Sequence, residues 1–125
     1  MYDYAQVQLL GRATSDAVLS NLDDEGRPGA AFLTLALNIP IRRGNQTHTK
    51  TLYRRIMVLS SFASYVAKCQ DEGGGLKGRL VNALGVMDDE RYYDDEDNES
   101  YRDIVRVAPG AGQIKVMDRR TRNDG

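Results

Sequence analysis

KTLYRRIMVLSSFASYVAKCQDEGGGLKGRLVNALG, residues 50–85, changes its hydrophobic period twice. In the first ten residues Leu52, Arg54, Ile56 and Val58 alternate with Thr51, Tyr53, Arg55, Met57 and Leu59, a period of two that predicts a strand. Both sets contain apolar residues, so which face turns inward stays open at this level. Phe62, Tyr65, Val66 and Cys69 then fall at i, i+3, i+4 and i+7, the stripe by which a helix buries one side, with Ser60 or Ser61 available as its cap. Gly73, Gly74 and Gly75 end that helix, and residues 80–86 return to a strand.

Upstream, Ala5, Val7 and Leu9 alternate with Gln6 and Gln8, a half-buried strand expected to give way to a loop at Gly11 and Arg12. Asp23, Asp24, Glu25, Gly26, Arg27, Pro28 and Gly29 make a turn cluster. Residues 32–39 form a second strand, with Leu33, Leu35, Leu37 and Ile39 on one face and Phe32, Thr34, Ala36 and Asn38 on the other. Pro40 has no N–H for a ladder, so pairing is expected to weaken there and Arg42, Arg43, Gly44 and Asn45 to form a basic loop. Downstream, residues 88–100 read as an acidic excursion, 101–107 as a return strand, and Ile114 and Val116 as a short last one.

The resulting expectation is an all-β, five-stranded OB-fold barrel over residues 1–118, with one α-helix between strands three and four, a long acidic hairpin between strands four and five, and a flexible tail at 119–125. A chain of 125 residues supports one such core and no second domain. Its net charge is −1 and its pI about 5.8, so any phosphate contact depends on local clustering of Arg and Lys. Cys69 is the sole cysteine, which excludes an intramolecular disulfide and a cysteine metal cluster, and its place in the helical stripe implies core packing. No apolar run approaches the ~20 residues of a membrane span, and no targeting peptide is visible in the first residues.

Several motifs carry less than they first promise. Gly73, Gly75 and Gly78 fit G-x-G-x-x-G, but they follow a helix and precede a strand, the reverse of a dinucleotide site. His48, the only histidine, lies in an expected loop with neither nucleophile nor second ligand nearby, and reads as an exposed loop residue. The acids of residues 88–99 contain no glycine to turn a calcium loop, so they read as a solvated hairpin tip. No nucleophile, base and orienter can be assembled, so neither an enzyme nor any cofactor or metal is expected.

What remains is basic and aromatic. Arg42, Arg43 and Lys50 flank the loop before the third strand, Tyr53 and Arg55 share a face of that strand, and Arg91, Tyr92 and Tyr93 stand at the base of the acidic hairpin. Single-stranded nucleic acid needs this mixture, since cations track the backbone while rings stack on bases. Each ring also has a packing alternative: Tyr53 against the barrel face, Tyr92 and Tyr93 across the hairpin.

Taken in order, these segments resemble the bacterial and mitochondrial single-stranded DNA-binding proteins. Ala5-Gln6-Val7-Gln8-Leu9-Leu10-Gly11-Arg12 is similar to that family's first strand, Phe32-Leu33-Thr34-Leu35-Ala36 to its second, and residues 51–59 to its third. Phe62-Ala63-Ser64-Tyr65-Val66 is similar to the helix that follows, and Gly78-Arg79-Leu80-Val81 leads into a strand like its fourth. The resemblance implies a homotetramer of OB folds that binds single-stranded DNA without sequence preference in mitochondrial DNA replication and repair. It places Tyr53 and Tyr92 where the family has stacking tryptophans.

Ile41 and Leu59 occupy positions where that family has further stacking aromatics, the chain has no Trp, and Asp88 and Asp89 replace usually basic residues. These departures keep a second reading open beside DNA binding, which the clustered Arg and Lys favour. OB folds similar to this family also serve as interaction or RNA-binding subunits of mitochondrial RNA-editing complexes, in hetero-oligomers with other OB-fold subunits.

Overall fold

The computed structural model describes residues 5–117; the expected tail at 119–125 lies outside them. Its elements are β1 (Gln6–Ala13), β2 (Val18–Ser20), β3 (Ala30–Arg43), β4 (Gln46–Leu59), α1 (Ser61–Glu72), β5 (Leu80–Tyr93), β6 (Glu99–Val107) and β7 (Gln113–Val116). The second, third and fourth strands expected from the sequence are β3, β4 and β5.

Five of these strands close a ring in the order β1-β3-β4-β6-β5, with β5 returning to β1, while β2 pairs with β3 and β7 with β5. All pairings are antiparallel except β4 with β6, where Ile56 lies beside Val105 and Val58 beside Val107. Closure depends on β1 serving two neighbours: Gln6 to Arg12 pair with β5, and Arg12 and Ala13 also pair with Ala36 and Leu35 of β3. The expected loop at Gly11 and Arg12 is therefore strand. Glycine is required there because a Cβ on Gly11 would lie 2.5 Å from the Ala36 carbonyl oxygen.

The core follows the alternation. Leu33, Leu35 and Leu37 of β3 point inward with Ile56 and Val58 of β4, Val81 and Ala83 of β5, and Val105 and Val107 of β6. This resolves the open face of β4: Ile56 and Val58 are inside, so Tyr53, Arg55 and Met57 are outside. Helix α1 adds Ala63 and Val66 to the same core and packs Phe62, Tyr65 and Cys69 against it, covering the end of the barrel where β4 finishes and β5 begins. Ser60 occupies the N-cap position but makes no side-chain cap bond; its carbonyl accepts from the N–H groups of Ala63 and Ser64 instead. Buried Arg79 ties the far end of α1 to the end of β7, donating from Nη1 to the Cys69 carbonyl at 2.8 Å and from Nε to the Met117 carbonyl at 3.0 Å.

Two further expectations need correction, and both concern chain leaving the barrel. Pairing does not weaken at Pro40: β3 and β4 stay in register through Pro40↔Thr49 to Arg43↔Gln46, with Gly44 at φ 61° in the turn. Beyond Ala36, β3 has β4 as its one neighbour among the described residues, so a proline whose missing N–H faces outward interrupts nothing. Arg42, Arg43 and His48 thus belong to strands rather than to a loop. Likewise residues 88–93 continue β5, pairing with β6 from Asp88↔Ile104 to Tyr93↔Glu99 and leaving only residues 94–98 as a turn. Both two-stranded ribbons leave the barrel at the end opposite α1.

Candidate nucleic-acid interface

Alternation along β4 sets Tyr53, Arg55 and Met57 on the outer surface, opposite Ala36, Thr34 and Phe32 of β3. Tyr53 is 62% exposed. Arg55, two residues along on the same face, lays its guanidinium over the Phe32 ring with 5.0 Å to the centroid, a contact that holds the cation and covers one aromatic face. Its Nε donates to Glu90 Oε1 at 2.7 Å.

Glu90 belongs to the other ribbon, paired with Arg102 in the β5–β6 ladder. Arg102 Nε donates to the same Oε1, also at 2.7 Å, and its guanidinium lies over the Tyr92 ring at 4.9 Å. Phe32, Arg55, Glu90, Arg102 and Tyr92 therefore form one strip running from the barrel wall of β3 and β4 along the β5–β6 ribbon towards its turn, with Tyr53 exposed at its edge. Burial of Glu90 raises its pKa, but hydrogen bonds and charge from Arg55 and Arg102 outweigh this, and the net direction is below the ordinary carboxylate value. The cluster remains charged at neutral pH, two guanidiniums around one carboxylate.

The other residues singled out in the sequence divide between faces. Arg42 shares the outer face with Tyr53 but stands six positions along the ladder from its partner Ala36, roughly 20 Å away. Arg43 and Lys50 alternate onto the opposite face, where Ile39 pairs with Lys50. Among the described residues none of these three has an acidic partner; Arg42 Nε makes a 3.4 Å bond to the Gly44 carbonyl. Arg91 and Tyr93 lie on the face of the β5–β6 ribbon away from Tyr92, with Arg91 Nη1 3.8 Å from Glu99 Oε1 and Tyr93 exposed. The structure thus brings Tyr53, Arg55 and Tyr92 into one region and separates Arg43, Lys50, Arg91 and Tyr93 from it.

No family model matches this sequence, and no curated protein matches it. Solved structures do. A Plasmodium falciparum SSB in complex with ssDNA is similar over 94% of this chain and 100% of its own, with a TM-score of 0.73 and 20% identity. A small single-stranded DNA-binding protein from Streptomyces coelicolor is similar over 93% of this chain and 96% of its own, with a TM-score of 0.64 and 12% identity. The chain has the fold of these SSB proteins.

Against that SSB-like barrel, three members of the strip escape sequence reasoning. Phe32 stands in the non-core phase of its strand, a visible oddity for an aromatic residue. Arg102 and Glu90 look like parts of unrelated charge runs; only a hairpin turn centred on residue 96 sets them opposite each other. Glu90 is therefore not part of a solvated tip: its side chain is 16% exposed and holds two arginines.

Proposed function

We propose that this chain binds single-stranded DNA without sequence preference, the strand crossing the outer face of β4 with a base stacked on Tyr53. The observation that carries this is the uncovered Tyr53 ring beside Arg55 on the outside of an SSB-like barrel. An exposed ring supplies stacking to any base, and neighbouring cations supply attraction to any backbone, so sequence preference has no source in either. The similarity to an SSB in complex with ssDNA supports the same reading. Arg42, on the same face, extends the path along the β3–β4 ribbon, while Arg43, Lys50, Arg91 and Tyr93 border it from other faces. A role in mitochondrial DNA replication and repair, carried out by a homotetramer, extends this reading and rests on the resemblance in the sequence.

A second reading has an observation of its own. Asp94, Asp95, Glu96, Asp97 and Glu99 make the far end of the β5–β6 hairpin strongly acidic, which repels phosphate and favours a protein contact. This is the interaction or RNA-binding subunit of a mitochondrial RNA-editing complex, partnered by other OB-fold chains. Fluorescence anisotropy with labelled poly-dT and a matched poly-U at low and moderate salt separates the two. Salt-sensitive binding of poly-dT above poly-U supports the DNA reading. Preference for poly-U supports an RNA-binding subunit, and binding of neither leaves the protein-contact role.

A further inference from the structure

We propose that Glu90 is a built-in competitor for the phosphates, setting how strongly the Tyr53 face binds a single-stranded backbone. The inference deepens the DNA-binding reading and rests on it.

A guanidinium meets a phosphate best through a fork of two parallel N–H groups. In both Arg55 and Arg102 the Nε–H, one arm of the side-on fork, is given to the same oxygen, Glu90 Oε1, at 2.7 Å. Each guanidinium also has one face against a ring, Arg55 on Phe32 and Arg102 on Tyr92. The two cations are thus held in place with their Nε edges occupied, and the carboxylate between them opposes an approaching phosphate. Glu90 and Arg55 are mostly buried, their side chains 16% and 30% exposed, so salt screens this competition less than it screens a surface pair. A backbone that engages either Nε edge exchanges a carboxylate for a phosphate and releases few counterions. Arg55 and Arg102 accordingly add less to the salt dependence than two free arginines do. Stacking, led by Tyr53, then carries a larger share of the affinity.

Removing the charge while keeping the shape tests this. Glu90→Gln is expected to bind a labelled dT oligomer about three- to tenfold more tightly at low salt, with a log–log salt slope steeper by about 0.7 or more, one extra phosphate contact's worth. Asp95→Asn, the same change in net charge at the hairpin turn, is expected to shift affinity by less than about twofold. Glu90→Thr removes the carboxylate with a strand-forming residue and guards against a folding defect peculiar to Gln, thermal unfolding being followed for each. In the wild-type protein, the Arg55 and Arg102 Nε–H signals in nitrogen-edited spectra are expected to move when oligomer is added. Unchanged or weaker binding by both Glu90 variants overturns the proposal, showing that the carboxylate merely orients the arginines. An equal gain from Asp95→Asn overturns it in favour of bulk charge. If the wild-type protein itself fails to bind dT, the DNA-binding reading falls and this proposal falls with it.

Discussion

Ala36 stands directly across the β3–β4 ladder from Tyr53, so the tyrosine ring faces a single methyl group on the outer surface of the barrel. An aromatic with so little to pack against contributes little to folding, which leaves its face free for a ligand. Tyr53→Ala is expected to weaken poly-dT binding by about 1–3 kcal/mol and to change stability by no more than about 0.5 kcal/mol. Tyr53→Phe is expected to keep the binding. Anisotropy titration and thermal unfolding of the two variants check this, and an unaltered affinity for the alanine variant removes Tyr53 from the interface.

Arg42 and Arg43 are adjacent in sequence but point to opposite faces of their ribbon. If the strand runs along the Tyr53 face, Arg42→Ala makes the log–log salt slope shallower by about 0.7, the loss of one phosphate contact. Arg43→Ala and Lys50→Ala are then expected to leave the slope near the wild-type value. The reverse pattern, measured in the same salt series, moves the strand to the other face of the ribbon.

Barrel closure has its own test. A methyl group at residue 11 would lie 2.5 Å from the Ala36 carbonyl oxygen and 2.6 Å from Leu37 Cδ2, and the backbone at the β1–β3 junction cannot move aside without breaking the ladder. Gly11→Ala is expected to destabilise by about 1–3 kcal/mol, read as a lower urea midpoint. Gly11 marks a place where the side chain's absence is structural.

Tyr65 joins α1 to the last strand, its Oη accepting the Val116 N–H at 2.9 Å. Tyr65→Phe orphans that donor beside a buried residue, at a cost of about 1–3 kcal/mol, with faster hydrogen exchange at the Val116 amide. Burial also pushes the Tyr65 pKa above its ordinary value, and the Cys69 side chain adds to the rise. A raised acid resists ionisation in the folded state, so the associated stability is complete below the unfolded value near 10.0 and is lost as pH rises through the folded one. Alkaline unfolding of the phenylalanine variant is expected to lack this component.

Glu90 has the opposite sign. With its pKa held below the ordinary glutamate value of 4.5 by Arg55 and Arg102 against the effect of burial, its contribution is present above that value and is lost as pH falls through the folded one. Wild type and Glu90→Gln, melted from pH 7 to pH 3, are expected to converge as the carboxylate of the wild-type protein is protonated.

Local contrast between wet and buried faces explains which of these features could be read in advance. Inside the barrel, Leu33, Leu35 and Leu37 alternate with smaller or polar neighbours, and Phe62, Val66 and Cys69 recur at helical spacing, so element type and order were legible. Where the ribbons leave the core both faces meet water and the contrast disappears. That is why the strand around Arg42 reads as a loop, and the strand around Asp89 as an acidic excursion, in the sequence.

From the sequence alone came the main strands of the barrel and the one helix between the third and fourth of them, because burial is written into the period of the apolar residues. Tertiary structure decided the rest: that β1 closes the ring at Gly11, that Ile56 rather than Tyr53 faces inward, and that Glu90 bonds two arginines from different strands. Those outcomes depend on register and on which strands become neighbours, and a pairing between residues 35 positions apart leaves no trace in the local period of either.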